Sequence, residues 1–276
     1  MSSAVLDPTA LDALALLADR PLVVLTGAGL STDSGIPDYR GPGSPARRPI
    51  TYQEFVSGPA AQQRYWARSH LGWSRMRGAE PNPGHAAVAA LDPELLITQN
   101  VDGLHEAAGT RRMVALHGRI ADVVCLGCRR TTSRASMQAR LEDANPGWLT
   151  AHVDAATRPD CDVDLEDTDG FVVPVCEECG GVLKPDVVFF GENVPPPRVA
   201  RCYEAVEALG TDGALLVAGS SLTVMSGLRF VKRAAALGTP VVIVNRGETR
   251  GDPLATYTVH AGCSDFLTAL LAARTR

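Results

Sequence analysis

Four apolar runs in this chain each end in a turn of small polar residues. "PLVVLT" leads into "GAG" at 27–29, "ELLIT" into "QN" at 99–100, "GALLVA" into "GSS" at 219–221, and "PVVIV" into "NRG" at 245–247. Helical patterns separate the runs, and strands alternating with helices predict an α/β fold built on a Rossmann-like, doubly wound parallel sheet. Ligands of such sheets bind at the carboxyl ends of the strands, near the point where strand order reverses. Small residues there let backbone N–H groups approach phosphate oxygens, and a helix N-terminus adds a favourable dipole. One such turn decides little, because any α/β protein carries Gly and Ser after its strands. Four of them together predict a dinucleotide ligand.

The first turn is not the usual G-x-G-x-x-G, since Thr32 stands in the third glycine slot. The acidic residue that follows a dinucleotide fingerprint by about 20 residues has no clear counterpart. Asn245, at the end of a later strand, is the candidate for the adenosine ribose.

Between these landmarks, residues 8–19 read as an amphipathic helix and 41–49, rich in Pro, Gly and Arg, as a loop. Residues 51–77 read as one helical stretch, and "NPGHAAVAAL" as a helix with an Asn-Pro start. "RMVALHGRIADVVC" predicts a short strand and a turn. The segment from Cys125 to Cys179 is polar, with seven acids against one arginine between Asp154 and Asp169, and predicts a long acidic surface loop. Strand character resumes at "KPDVVFFGE". A net charge of −5 without a basic tract argues against nucleic acid and anionic membrane as partners. No apolar run approaches the ~20 residues of a membrane span. The amino terminus has no basic start and carries acids among its leucines, so a cytoplasmic protein is expected. Nothing in the pattern specifies an oligomer, and a monomer is the expectation.

Seven cysteines without a secretion signal argue against a disulfide framework. Four of them, Cys125, Cys128, Cys176 and Cys179, form two C-x-x-C pairs that fit a tetrahedral zinc site. Four sulfurs leave no open position, so one structural Zn2+ is expected; a redox dithiol is the alternative. Cys161, Cys202 and Cys263 read as non-ligands.

In this order, "GAGLSTDSGIPDYR", "TQNVDGLHEAAG", "LHG", the Cys pairs, "KPDVVFFGE", "GSSLTV" and "VNRG" resemble the sirtuins, NAD-dependent protein deacylases, over about residues 20–270. "QRYWAR", "PNPGH", "GGVLKPDVVFFG" and "VNRGETRGD" look most like the class II branch. Tyr39 and Phe189 depart from the common pattern, where many sirtuins have Phe and Trp.

The resemblance implies NAD as co-substrate and acylated protein lysines as partners. It implies that Gly27, Ala28 and Gly29 cradle the pyrophosphate, with Ser31 and Thr32 beside them, and that residues 31–40 form a cofactor loop in which Asp38, Tyr39 and Arg40 shield the nicotinamide end. It assigns Gln99, Asn100, Val101 and Asp102 to the nicotinamide and ribose, Asn100 positioning a water or hydroxyl and Asp102 accepting from the carboxamide. Gly219, Ser220, Ser221, Asn245, Arg246, Gly247 and Cys263 follow as further contacts. His117 is the implied general base, a histidine able to take and return a proton near neutrality. His105 and His85 read as structural, His105 orienting a helix start. The acyl oxygen is expected to attack the ribose carbon that nicotinamide leaves, releasing O-acyl-ADP-ribose. The peptide is expected to add as a strand between residues 188–192, with Val188, Phe190, Gly191 and Glu192 as contacts, and the segment around Ser226 and Gly227. Tyr65 and Arg68 share a helix face at the spacing with which another sirtuin branch reads acidic acyl groups. Residues 1–43, 81–120 and 184–276 are expected to form the Rossmann-like domain. Residues 44–80 (helical) and 121–183 (zinc-binding) are expected to form an inserted small domain. Mono-ADP-ribosyl transfer and a weakly catalytic NAD-sensing module are the competing functions.

Overall fold

The computed structural model describes residues 7–38, 49–76, 78–152 and 168–275. Tyr39, Arg40, Cys161 and nearly all of the acidic stretch lie outside them.

The chain opens with α1 (Pro8–Leu17), whose start is capped by Asp7 accepting from the Ala10 amide at 2.7 Å. Strand β1 (Leu22–Thr26) runs into a 3₁₀ helix, Ala28–Ser34. Two helices follow, α2 (Tyr52–Val56) and α3 (Pro59–Met76). The stretch expected to be one helix is broken at Gly58, and Pro59 restarts it at the first helical position, where the missing N–H costs nothing. Next come α4 (Pro83–Leu91), β2 (Leu95–Thr98) and the single-turn α5 (Leu104–Ala107).

Where a short strand and a turn were expected there are two strands, β3 (Met113–Ala115) and β4 (Gly118–Cys125). Gly118, at φ 82°, makes the change of direction between them; a Cβ there would lie 1.9 Å from the Asp186 carbonyl oxygen. The Cys125–Cys179 segment contains β5 (Thr131–Ser133), α6 (Arg134–Ala144) and α7 (Trp148–Ala151). Helix α6 escaped sequence reading because its buried face, Arg134, Met137, Gln138 and Leu141, is half polar. Arg134 lies 5.3 Å from the Trp66 ring centre and 4.9 Å from that of Trp73 and donates to Gln138 Oε1, which is how so polar a face is buried. The chain ends with β6 (Leu183–Val187), α8 (Pro196–Ala208), β7 (Ala214–Ala218), α9 (Met225–Ala236), β8 (Val241–Val244), β9 (Tyr257–Val259) and α10 (Cys263–Arg274).

Six strands form an all-parallel sheet in the order β3-β2-β1-β7-β8-β9. β1, β2, β7 and β8 are buried along their whole length, which explains their unbroken apolar runs. On one face Val24, Leu96, Leu216 and Val242 pack with Leu17, Val88 and Phe266 of α1, α4 and α10. On the other Leu25, Ile97, Val217 and Ile243 pack with Val206 of α8 and Val231 of α9. β5, β4 and β6 form a separate antiparallel sheet. The strand at 183–187, grouped from sequence with the parallel sheet, therefore belongs with β4. A third core joins this small sheet to α2, α3 and α6 through Phe55, Trp66, Val123, Met137, Leu141 and Leu183. No helix among the described residues is long and apolar enough to cross a membrane.

Candidate active site

Strand order reverses between β2 and β7, with β1 in the middle, so the carboxyl ends of these three strands meet. There the turns interlock. The Gly27 amide donates to the Ala218 carbonyl at 3.1 Å, and the Gly29 amide to the Gly219 carbonyl at 2.8 Å. A Cβ on Gly27 or Gly29 would come within 2.7 or 2.9 Å of the Gly219 oxygen; Gly219 itself sits at φ 68°, where a Cβ would meet the Leu30 nitrogen at 2.4 Å. The glycines thus let two turns approach each other as well as a ligand. Thr32 replaces a third glycine because the chain leaves by a 3₁₀ helix, and its hydroxyl donates to the Gly29 carbonyl at 2.9 Å.

Around this point lies a cavity of about 1210 Å3. Its floor includes Gly27, Ala28, Gly29, Ser31 and Thr32, with Asp38 at one side. Gln99, Asn100, Val101 and Asp102 enter from the end of β2, and Gly219, Ser220 and Ser221 from the end of β7. Asn245, Arg246, Gly247 and Cys263 close one end; Val188, Phe190, Gly191, Glu192 and Tyr65 line the other. Arg68 is half-buried elsewhere and does not line it.

The polar groups are pre-arranged. Ser31 Oγ donates to Asp102 Oδ2 at 2.7 Å, and Asn100 Nδ2 donates to Ser31 Oγ at 3.0 Å and to the Gly27 carbonyl at 3.1 Å. Asp102 Oδ1 accepts from the Leu104 amide at 3.0 Å, at the start of α5, where the exposed amides favour a carboxylate. Ser220 Oγ donates to Gln99 Oε1 at 2.5 Å, joining the β2 and β7 turns.

His117 stands between β3 and β4. Its Nδ1 lies 3.0 Å from the Gln99 carbonyl oxygen, and its Nε2 lies 2.8 Å from Ser226 Oγ at the start of α9. A carbonyl only accepts, so Nδ1 carries the proton, and Nε2 presents a lone pair to the Ser226 hydroxyl. Burial pushes the His117 pKa down to about 4, opposed by the Gln99 hydrogen bond, so the ring is neutral at pH 7. A neutral imidazole with its Nε2 lone pair on the cavity wall is equipped to take a proton.

His85, not His105, orients a helix start. Its Nδ1 accepts from the Asn82 amide at 3.3 Å while Asn82 Oδ1 caps α4. His105 instead bonds Thr26 Oγ1 at 3.0 Å beneath β1, and burial drives its pKa down to about 3.

Sequence reading missed two groups, and one contact of a third. Ser226, expected only beside the peptide, also touches the implied base. Lys184, almost fully buried, holds Glu192 Oε2 at 3.1 Å and donates to the Val187 carbonyl at 2.5 Å, with its Nζ 4.5 Å from the Phe189 ring centre. Glu192 also accepts from the Phe189 amide, so a side chain assigned to substrate is committed within the wall. Arg229 lines the cavity one turn beyond Ser226. No sequence pattern marks these roles: Ser226 meets a histidine 109 residues away, and Lys184, although its partners are near in the chain, reads as an ordinary exposed lysine.

Cys125, Cys128, Cys176 and Cys179 bring their sulfurs within 4.8 Å of one another, away from the cavity. Sγ separations are 3.5 Å for Cys125–Cys179 and 3.8 Å for Cys128–Cys176. A tetrahedron with Zn–S bonds of about 2.3 Å has edges of about 3.8 Å, so the cluster fits zinc. Cys125 and Cys176 belong to the third core, which ties the site to folding rather than to chemistry.

Residues 27–226 match the Sir2 family. The chain is 54% identical over 266 residues to NAD-dependent protein deacetylase 1 of Mycobacterium avium (strain 104), covering 94% of this chain and 93% of that one. It is 55% identical to NAD-dependent protein deacetylase 1 of Streptomyces coelicolor (strain ATCC BAA-471 / A3(2) / M145), covering 90% of this chain and 84% of that one. Among solved structures, a Sir2 protein with a p53 peptide and NAD+ superposes with a TM-score of 0.73 at 29% identity, over 95% of this chain and 96% of that one.

Proposed function

The chain belongs to the Sir2 family, and from that premise we propose that it removes acyl groups from protein lysines, consuming NAD and releasing nicotinamide and O-acyl-ADP-ribose. The observation that carries this reading is the neutral His117, its Nε2 facing Ser226 where the 27–29, 99–102 and 219–221 turns converge. The relatives named as NAD-dependent deacetylases, and the solved relative holding a peptide and NAD+, agree with it.

NAD supplies an electrophilic ribose carbon, exposed as nicotinamide leaves, to which the acyl oxygen adds. The chain's own residues do the rest. The 27–29 and 219–221 turns cradle the pyrophosphate with those amides that are not spent on the Ala218, Gly219 and Val244 carbonyls, and Asn245, whose Nδ2 donates to the Gly247 carbonyl at 2.7 Å, meets the adenosine ribose. Asp102, held by Ser31 and Leu104, orients the carboxamide, and Asn100 positions the ribose side. His117 takes a proton at Nε2 from a ribose hydroxyl, Ser226 giving way to that hydroxyl. The acyl peptide lies along 188–192, a wall whose Val188 amide donates to the His117 carbonyl at 2.8 Å, so groove and base share one backbone. One zinc is held by Cys125, Cys128, Cys176 and Cys179.

The phrases "PNPGH" and "VNRGETRGD" support a place in the class II branch, and with it longer or branched acyl groups beside acetyl. A cytoplasmic monomer, with a Rossmann-like domain of 1–43, 81–120 and 184–276, completes the proposal. Release of labelled nicotinamide tests it. Release that requires an acyl-lysine peptide and yields free lysine supports deacylation. Release that labels an unacylated protein instead identifies ADP-ribosyl transfer, and NAD binding without release identifies a sensing module.

A further inference from the structure

Among the described residues two arginines line the cavity, Arg229 and Arg246. Arg246 already pairs with Asp33 at 3.3 Å, at the end closed by Cys263. Arg229 spends only its Nε, on the Met225 carbonyl of its own helix at 3.3 Å. Among the described residues no carboxylate lies within ion-pair distance of Arg229, which lines the cavity without an anionic partner. The side chain is half-buried. A guanidinium on a cavity wall without a counter-charge favours a ligand that brings one.

Its place is set by helix register. Ser226 and Arg229 are three residues apart on α9 and share a face. Ser226 Oγ is 2.8 Å from His117 Nε2, so Arg229 stands one turn along from the base. The opposite wall, 188–193, offers no competing negative charge, because Glu192 is neutralised by Lys184. Arg68, the sequence-based candidate for reading an acidic group, is off the cavity.

We infer that Arg229 receives a carboxylate of the acylated substrate and so sets a preference among acyl-lysine peptides. The inference rests on the deacylase reading above. The carboxylate has two sources with the same chemistry: the free end of a dicarboxylic acyl chain such as succinyl or glutaryl, or an Asp or Glu side chain next to the acyl-lysine. A guanidinium fork matches either one in bidentate fashion.

The test uses the full-length protein, Arg229→Met and Arg229→Lys, and three peptides: acetyl-lysine with neutral neighbours, acetyl-lysine with flanking glutamates, and succinyl-lysine with neutral neighbours. In Arg229→Met, kcat/KM for a carboxylate-bearing peptide relative to the neutral one is expected to fall at least about tenfold, the scale of a lost charge-assisted hydrogen bond. Arg229→Lys should recover part of the ratio. KM for NAD, taken at saturating neutral peptide, should stay within about twofold. Loss confined to succinyl-lysine identifies the acyl carboxylate; loss confined to the glutamate peptide identifies the flanking side chain. An unchanged ratio for both overturns the assignment, as does a rise in KM for NAD, which would give Arg229 to the cofactor phosphates. If the unaltered protein turns over none of the peptides with NAD, the deacylase reading itself falls, a result visible before any variant is made.

Discussion

Lys184 and Glu192 form an ion pair at 3.1 Å across the wall of the cavity, with the lysine side chain only 3% exposed and the glutamate 27%. Burial is the chief influence on Lys184 and lowers its pKa, while Glu192 opposes that shift. Removing one partner leaves the other poorly compensated. Glu192→Gln is expected to cost about 1–3 kcal/mol, less than a fully buried pair because the carboxylate still reaches water. The double variant Lys184→Met/Glu192→Gln should recover most of the loss, since no buried charge is left. Urea unfolding of the single and double variants measures this; two additive losses would mean that the pair is not coupled.

His117→Ala is expected to lower deacylation by about 10²–10⁴-fold while NAD binding persists. Ser226→Ala should be far milder, because Nε2 keeps its lone pair and its Nδ1 anchor on Gln99. Steady-state rates with an acetyl-lysine peptide, beside NAD titration by calorimetry, separate the two. Full activity in His117→Ala would remove the base.

Folding stability should depend on pH below neutrality. His117 and His105 sit at about 4 and about 3 in the folded chain, against an ordinary value of 6.5. Between about pH 4 and 6.5 the unfolded chain therefore binds more protons than the folded one. The stability is fully present above pH 6.5 and is lost as pH falls through that window, by about 1.4 kcal/mol per pH unit for each group at full slope. Denaturant midpoints at pH 7, 5.5 and 4.5 read it out, and His117→Ala should flatten part of the slope. A flat profile for the unaltered protein would contradict the burial of both rings.

One zinc per chain is expected on metal analysis, and Cys176→Ser should lower the unfolding temperature, because metal binding is part of the folding free energy here. Chelation should expose the third core to a hydrophobic dye before the parallel sheet unfolds. Metal-free protein with unchanged stability would turn the cluster into a dithiol pair.

The backbone at Gly118 makes a sharper test of how the base is placed. An alanine there must take φ 82° and meet the Asp186 carbonyl at 1.9 Å. Gly118→Ala should therefore cost at least about 2 kcal/mol and shift His117, lowering kcat together with stability. Stability equal to that of the unaltered protein would show that the β3–β4 turn has room to relax.

Elements whose signal is local are legible in the amino-acid sequence alone. Apolar runs such as 241–244 read as covered strands wherever they are placed, and a proline or asparagine start marks α4 without reference to its neighbours. The Cys pairs announce a metal site because each pair supplies two ligands within four residues. The tertiary structure decided everything that depends on which distant face meets which. Helix α6 buries an arginine and a glutamine, so its inward stripe looks like surface until Trp66 and Trp73 are seen around Arg134. β6 reads as one more strand of an α/β alternation, yet it pairs with β4, because Gly118 turns the chain away from the parallel sheet. Arg68 and Arg229 look alike as sequence, and only Arg229 lines the cavity. Ser226 finds its partner His117 far away in the chain, whereas Glu192 finds Lys184 close by, across the turn that follows β6. Side-chain period encodes the direction a residue takes within its own element; the partner it finds there is a property of long-range packing, which no local pattern carries.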